Sequence, residues 1–395
     1  MHDKAVCRFA KEKDGAQVQA LWTQCFDDTS AFVEWYFQRY YQKENTLGIF
    51  AGDTLLASAQ MIPYTIALRG AEVPAAYIVG VDTLPEARNQ GCARRLLLEC
   101  LRTQRERGQG ISLLMPFEGQ FYYRYGWPFC YFHQQMEIKP QELRCAAHPW
   151  GHIRQVGLVE AIPALQLIYN QFVQHYHGAV CRSAQQWQLL MEDAALEHTA
   201  CYLLERDGQA MGYCLWVPLR GKIFIREMAW CNAAAKAGLL HFLLEAVPAQ
   251  QLLWLELPDE DELMFSLASE KKKAVRYPFL MARIVDVTQC LRSIQYPQID
   301  GRLLLYVKDD FAQWNHGFFS VELYQGRAQV QPVASGGEIC ADVDITIDGL
   351  SQLVLGARSA AQLQRQQLLQ VKDERAFQLL QQLWPPQSNY INEYY

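Results

Sequence analysis

Between residues 47 and 115 the apolar pattern alternates with period two, switches to the spacing of a helix, and returns to a short buried run; the same order recurs between residues 199 and 257. In the first pass, 47–51 and 54–61 flank the turn pair Gly52-Asp53 and predict a hairpin, and 75–81 predicts a further strand. Ala93, Leu96, Leu97, Cys100 and Leu101 then lie on one helix face, and 111–115 reads as a buried strand. In the second pass, 199–205, Asp207-Gly208 and 211–217 form the hairpin and 223–230 the strand. Asn232 can cap a helix bearing Leu239, Leu240, Leu243 and Leu244, and 252–257 is the closing strand. Strands and helices interleaved in this way need a mixed sheet with helices packed on it, so the chain reads as α+β with a duplicated unit.

The flanks extend this plan. After Asp14, an expected N-cap, Val18, Leu21, Trp22, Cys25 and Phe26 mark one helix, and 32–41 predicts a second, aromatic one. Near the other end, Val343, Ile345 and Ile347 alternate with Asp342, Asp344, Thr346 and Asp348, as in a strand with one wet face, and 317–323 with 327–330 reads as a hairpin. Ala376, Leu379, Leu380, Leu383 and Trp384 line a last helix that Pro385-Pro386 ends. At 395 residues the chain is expected to form three domains, 1–145, 146–286 and 287–395.

A net charge of −6 argues against a nucleic-acid surface spread over the molecule. The 12 cysteines include no C-x-x-C pair, so thiols rather than a zinc ribbon are expected. No apolar run approaches the roughly 18 residues of a membrane span. The charged opening residues do not resemble a signal peptide. The expectation is a cytoplasmic protein without nucleic-acid or membrane partners. His175 and His177 lack a convergent third ligand, so no metal is expected. Lys271 to Lys273 reads as a solvated turn, and Cys92 as a packing residue.

Chemistry concentrates in the segment from Gly80 to Arg95. A buried strand ends, a loop passes through Arg88, Asn89, Gln90 and Gly91, and a helix opens at once with its first N–H groups unpaired. Such an end attracts anions; Gly91 has no Cβ to obstruct one and Arg88 adds a positive charge. Arg88-x-x-Gly91-x-Ala93 resembles the Q/R-x-x-G-x-G/A loop of the GNAT N-acetyltransferase superfamily. The resemblance implies acetyl-CoA as cosubstrate, with Val79, Val81 and Thr83 along the pantetheine and Arg88, Asn89, Gln90, Gly91, Cys92 and Ala93 around the pyrophosphate. The stretch from Pro116 to Pro128, with Glu118, Gly119, Tyr122, Arg124, Tyr125, Gly126 and Trp127, resembles the E-G-x-x-Y-x-R-[FY]-G-[YW] segment of the Eis-type (enhanced intracellular survival) acetyltransferases. That family carries two tandem GNAT-like regions and a C-terminal sterol-carrier-like domain, the three-part order read above. Residues 279–287 and 342–356 resemble the end of its second region and part of its last domain. In the second region Asn232 to Gly238 stands where a phosphate loop would be, which implies one acetyl-CoA site per chain.

Amide formation needs a base for a protonated amine and an acid for the leaving thiolate. Tyr122 falls on the motif's Tyr and is the expected acid. Near the motifs Glu118 and Asp82 are the candidate carboxylates; the resemblance implies instead the α-carboxylate of Tyr395, at the end of an aromatic tail, Asn389 to Tyr395. The family's helical pair borders the acceptor pocket, so Asp27 and Trp35, with Glu118 of the motif segment, are the expected substrate-binding residues. The implied activity is direct transfer of acetyl to a primary amine, with aminoglycoside-like polyamines one candidate class, in a homo-oligomer that the resemblance makes a hexamer. Two other readings stay open: a CoA- or lipid-binding scaffold without catalysis, and an enzyme acting on protein lysines or N-terminal amines.

Overall fold

The structure, a computed structural model, describes residues 5–267, 273–334 and 339–394; Lys271, Lys272 and Tyr395 lie outside the described residues. The first region contains β1 (Val6–Phe9), α1 (Gly15–Cys25), α2 (Ser30–Arg39), β2 (Thr46–Ala51), β3 (Thr54–Leu68), β4 (Ala71–Thr83), α3 (Cys92–Glu106), β5 (Ile111–Leu114), α4 (Gly119–Tyr123) and β6 (Phe129–Ile138). The second repeats that order, with a 3-10 turn at Leu263–Ser266 in the place of α4: β7 (His152–Val156), α5 (Leu158–Val173), α6 (Ala184–Leu196), β8 (Ala200–Arg206), β9 (Gln209–Leu219), β10 (Lys222–Trp230), α7 (Ala233–Ala246), β11 (Leu252–Pro258) and β12 (Val275–Ile284). Asn232 caps α7 as expected, its side chain accepting from Ala235 N at 2.9 Å. Asp14 stands at the N-cap of α1 as expected, but its side chain makes no cap hydrogen bond: the carboxylate takes Arg8 at 2.6 Å and the Lys11 N–H at 2.8 Å, because a partner with full charge outcompetes the helix end.

The two regions share one twelve-stranded sheet in the order β1-β2-β3-β4-β5-β12-β6-β11-β10-β9-β8-β7. The last strands of the two regions are exchanged: β12 pairs with β5 of the first region, and β6 pairs with β11 of the second. Because β12 and β6 also pair with each other, neither region has a free inner edge. On one face of the first region α3 packs Leu96, Leu97, Cys100 and Leu101 against Met61, Ile78 and Met281. The opposite face, with Trp22, Tyr36 and Tyr77, runs without a break into the core of the third domain, including Leu305, Leu353 and Trp384.

That third domain holds α8 (Val287–Ser293), β13 (Gly301–Lys308), β14 (Gly317–Tyr324), β15 (Arg327–Val333), β16 (Val343–Thr346), α9 (Ile347–Val354), α10 (Ala360–Arg365), β17 (Leu369–Val371) and α11 (Glu374–Leu383). Its sheet runs β15-β14-β13-β16-β17. After α11 and the two prolines, the chain returns across the large sheet. The His177 N–H donates to the Ser388 carbonyl at 2.7 Å, Asn389 Nδ2 to the Cys130 carbonyl at 2.9 Å, and the Tyr77 hydroxyl to the Glu393 carbonyl at 3.2 Å.

Candidate active site

Strands β4 and β5 pair in parallel from Ala75↔Ile111 to Ile78↔Leu114 and then part, β4 running on to Thr83 while the other strand gives way to α4. Gly80 bends β4 there. Its φ is +57°, and a Cβ would meet the Trp22 ring at 2.5 Å, so the bend and the close approach of α1 both require glycine. The gap, the N-terminus of α3 and α4 enclose a cavity of about 760 Å³, in the size range of small-molecule sites.

At its positively charged end Gly91 precedes α3 with φ +81° and no atom within 4 Å of the position a Cβ would take. No side chain caps α3 and its first turn carries no acidic residue, so the helix end is left to a ligand. Arg88, Arg94 and Arg124 stand on the wall. Each is engaged by a carbonyl or a ring rather than a carboxylate: Arg88 donates to Thr83 O at 3.3 Å, Arg94 lies over Phe311 at 5.5 Å, and Arg124 over Phe121 at 5.4 Å. Uncovered donors and three cations suit a pyrophosphate.

Tyr122 lines the opposite wall and is 8% exposed. Burial pushes its phenol up to about 12. The turn that holds it, with Trp127 N donating to the Tyr122 carbonyl at 3.3 Å, rests on Arg283, which donates to the Tyr125 carbonyl and pairs with Asp309. That ion pair is fully buried and joins β12 to the third domain. Gly126 permits it, since a Cβ there would meet the Arg283 guanidinium at 2.3 Å.

Asp82 is the wall's buried carboxylate. Its Oδ1 accepts from Ser58 N at 2.8 Å and Ser58 Oγ at 2.6 Å, while Oδ2 is buried without a hydrogen-bond partner. Burial pushes this group up to about 7 against the opposing pull of Ser58.

The structure thus gathers Val81, Thr83, Arg88, Asn89, Gly91, Cys92, Ala93, Glu118 and Tyr122 around one cavity. Glu118 is exposed at the rim and caps α4 through Gln120 N. Val79 is buried in the core, and the Gln90 amide turns to the Glu86 carbonyl at 2.8 Å. Asp27 is exposed. Trp35 belongs to a second, small cavity of about 40 Å³ with Tyr40, Tyr64 and Tyr394, its indole donating to Glu192 at 3.1 Å. Sequence reasoning missed Arg94, the environment of Asp82, and the Arg283–Asp309 support; of these only Arg94 carried a local signal, in the first turn of α3. His177 does not await a metal: its Nε2 accepts from Arg69 N at 2.9 Å and its Nδ1 lies 3.0 Å from Asn389 Oδ1. Among the described residues no group of three or more His, Cys, Asp or Glu could hold a metal ion. No helix among them is long and apolar enough to cross a membrane.

An acetyltransferase (GNAT) domain family matches residues 6–130, a second acetyltransferase (GNAT) domain family matches 178–284, and the sterol carrier protein domain matches 287–392. The N-acetyltransferase Eis of Mycobacterium bovis is 26% identical over 85% of this chain and 84% of its own. A Streptomyces avermitilis protein named as an uncharacterized N-acetyltransferase is 24% identical over 71% of this chain and 73% of its own. A GCN5-related N-acetyltransferase from Anabaena variabilis shares the fold, with a TM-score of 0.87 at 23% identity over 99% of this chain and 100% of that one. The chain thus carries two acetyltransferase (GNAT) domains in tandem with a sterol carrier protein domain behind them, the domains of an N-acetyltransferase, and along most of its length it is similar to the Eis N-acetyltransferases.

Proposed function

We propose that the protein transfers acetyl from acetyl-CoA to a primary amine by direct attack within one ternary complex. The observation that carries this is the gap between β4 and β5, which opens at one end on the uncapped N-terminus of α3 and at the other on Tyr122. Main-chain donors around Gly91 and the three arginines would hold the cosubstrate's phosphates. Tyr122, kept protonated by its burial, would donate to the thiolate as the C–S bond breaks.

For the base we propose the α-carboxylate of Tyr395. The segment that leads to it is docked rather than loose, and its Glu393 carbonyl takes the hydroxyl of Tyr77, one residue before the last β4–β5 pair. Asp82 supports a second reading: a buried oxygen without a partner, on a group that exchanges its proton near neutral pH, can pass the amine's proton on. Residues appended after Tyr395, and separately Asp82→Asn, distinguish the two. Loss of acetyl transfer in the extended protein with Asp82→Asn active supports the terminal carboxylate, and the reverse pattern assigns Asp82.

The acceptor would approach beside α1 and α2. The carboxylates around the small aromatic cavity are already paired, Glu192 with Arg39, Asp193 with Arg226 and Glu393 with Arg182. A polycationic acceptor would therefore rely on exposed groups such as Asp27. Thiol release measured over a panel of monoamines, polyamines, aminoglycosides and peptides tests the activity; acetyl-CoA binding without turnover on any of them favours a scaffold instead. The hexamer implied by the family resemblance is a further proposal, checked by sedimentation.

A further inference from the structure

The second region has its own parting of strands, and there the chain's own tail fills the space. Strands β10 and β11 pair in parallel from Lys222↔Leu252 to Ile225↔Leu255, as β4 and β5 do in the first region, and β10 is irregular between Ile225 and Glu227. Arg226 is the first residue past the last pair on β10, and its carbonyl accepts from Asn392 Nδ2 at 3.1 Å. Glu256 is the first past it on β11, and its carboxylate accepts from the Tyr394 hydroxyl. Tyr390 packs on Phe172 and Tyr176, with ring centroids 5.4 and 5.2 Å away, so the segment lies on the face that α5 covers.

One guanidinium fastens it. Residues 178–181 run beside β3, with Ala67 N donating to Ala179 O and Cys181 N to Thr65 O, both at 2.8 Å, which sets Arg182 at the junction of the two regions. Its side chain is 2% exposed and lies over Tyr169 at 4.0 Å. It donates to both oxygens of Glu227, at 2.8 and 2.6 Å, and to Glu393 at 2.8 Å. The second negative charge is met by neutral donors. The Tyr213 hydroxyl and Asn392 Nδ2 reach Glu227 at 2.5 and 3.0 Å, and Asn392 N reaches Glu393 at 3.0 Å. Without Arg182 two carboxylates would face each other in a dry site, so the tail and the receptor are held together or not at all.

We propose that the second acetyltransferase-like region is a receptor for the chain's own segment 389–394, with Arg182 and Glu227 as positioning residues for the reaction carried out in the first. The link to catalysis rests on the reading that Tyr395 supplies the base. Full-length Arg182→Met, Arg182→Lys and Glu393→Ala are compared with the parent for kcat, for acetyl-CoA affinity by calorimetry, and for release of tyrosine by carboxypeptidase A. The expected result for Arg182→Met is kcat down at least tenfold, acetyl-CoA affinity within twofold, and tyrosine released at least tenfold faster, with Arg182→Lys in between. Residues appended after Tyr395 should lower the activity of Arg182→Met by a smaller factor than they lower the parent's, since both changes act through the same segment. Parental kcat and parental tyrosine release in Arg182→Met would overturn the proposal. Fast release in Arg182→Met together with full activity of the extended parent keeps the receptor and removes the terminal base. Should Arg182→Met not fold, Glu393→Ala leaves the receptor's residues intact and is judged by the same readouts.

Discussion

The hydroxyl of Tyr77 donates to the main-chain carbonyl of Glu393 at 3.2 Å, across 316 positions of sequence. Tyr77 lies on β4 opposite Leu113 of β5, one residue before that pairing ends. The tail therefore comes to rest where the sheet begins to open, and the proposed site is assembled from residues near 80, near 122 and near 393.

Tyr122→Phe removes a hydroxyl while the ring keeps its packing against Phe121. The expected outcome is a fall in kcat of about 100-fold with KM for acetyl-CoA unchanged, measured by thiol release at saturating amine. A parental kcat removes Tyr122 as the acid.

Gly91→Ala meets no neighbouring atom, so its cost comes from the backbone and from the ligand. A residue with a side chain at φ +81° is expected to lose about 1 kcal/mol of stability. The added methyl also stands where a phosphate would lie, and KM for acetyl-CoA should rise about tenfold while kcat changes little. An unchanged KM would show that the phosphates bind elsewhere.

Each chain should bind one acetyl-CoA. At the start of α7 the Asn232 side chain already occupies the Ala235 N–H, and Lys236 pairs with Asp261 at 2.6 Å. Gly238 is packed so that a Cβ would meet the Trp150 carbonyl at 2.6 Å. Calorimetric titration should give a stoichiometry near one, and two sites per chain would contradict this reading of α7.

Asp82 makes folding sensitive to alkali. Its carboxyl, ordinarily near 3.8, is raised to about 7 by burial, so between those values the unfolded chain has released a proton that the folded chain keeps. Stability from this group is full below pH about 4 and is lost as pH rises through about 7. Asp82→Asn should therefore be more stable than the parent at pH 8, by about 2–4 kcal/mol, with the difference shrinking toward pH 5. Denaturant melts at the two pH values check the sign.

His177 has the opposite sign. Burial and then the charge of Arg69 lower its imidazole from 6.5 to about 4, against the pull of Asn389 and the Leu355 carbonyl. As pH falls from 6.5 toward 4 the unfolded state takes up a proton that the native ring refuses, so this contribution to stability is present above 6.5 and lost through about 4. Because His177 holds Ser388 and Tyr390 through its backbone, hydrogen exchange at Tyr390, corrected for intrinsic rate, should quicken severalfold between pH 7 and pH 4.5. Equal protection at both values would separate the ring from the tail.

Local order was legible where it depends on neighbours in sequence. The two hairpin-and-helix passes, the Asn232 cap, the break at Pro385-Pro386 and the Arg88-to-Ala93 loop each rest on spacing within a few residues. Spacing places Asp14 at the N-cap of α1, but not its carboxylate, which turns to Arg8 on another element. The part His177 plays in holding the tail has no local signal, because Arg69, Leu355 and Asn389 are all more than 100 positions away.

What the chain determined by itself is the kind of element each segment forms and the presence of an uncapped, glycine-led helix beside positive charge, since periodicity, turn chemistry and helix-end donors are local properties. What only tertiary structure decided is who meets whom. Nothing in an alternating pattern says that β12 will enter beside β5 and β6 beside β11, or that Arg182 will be shared by Glu227 and Glu393. A strand's hydrogen-bonding edge accepts many partners, and a buried charge acquires its meaning from groups that chain folding carries to it.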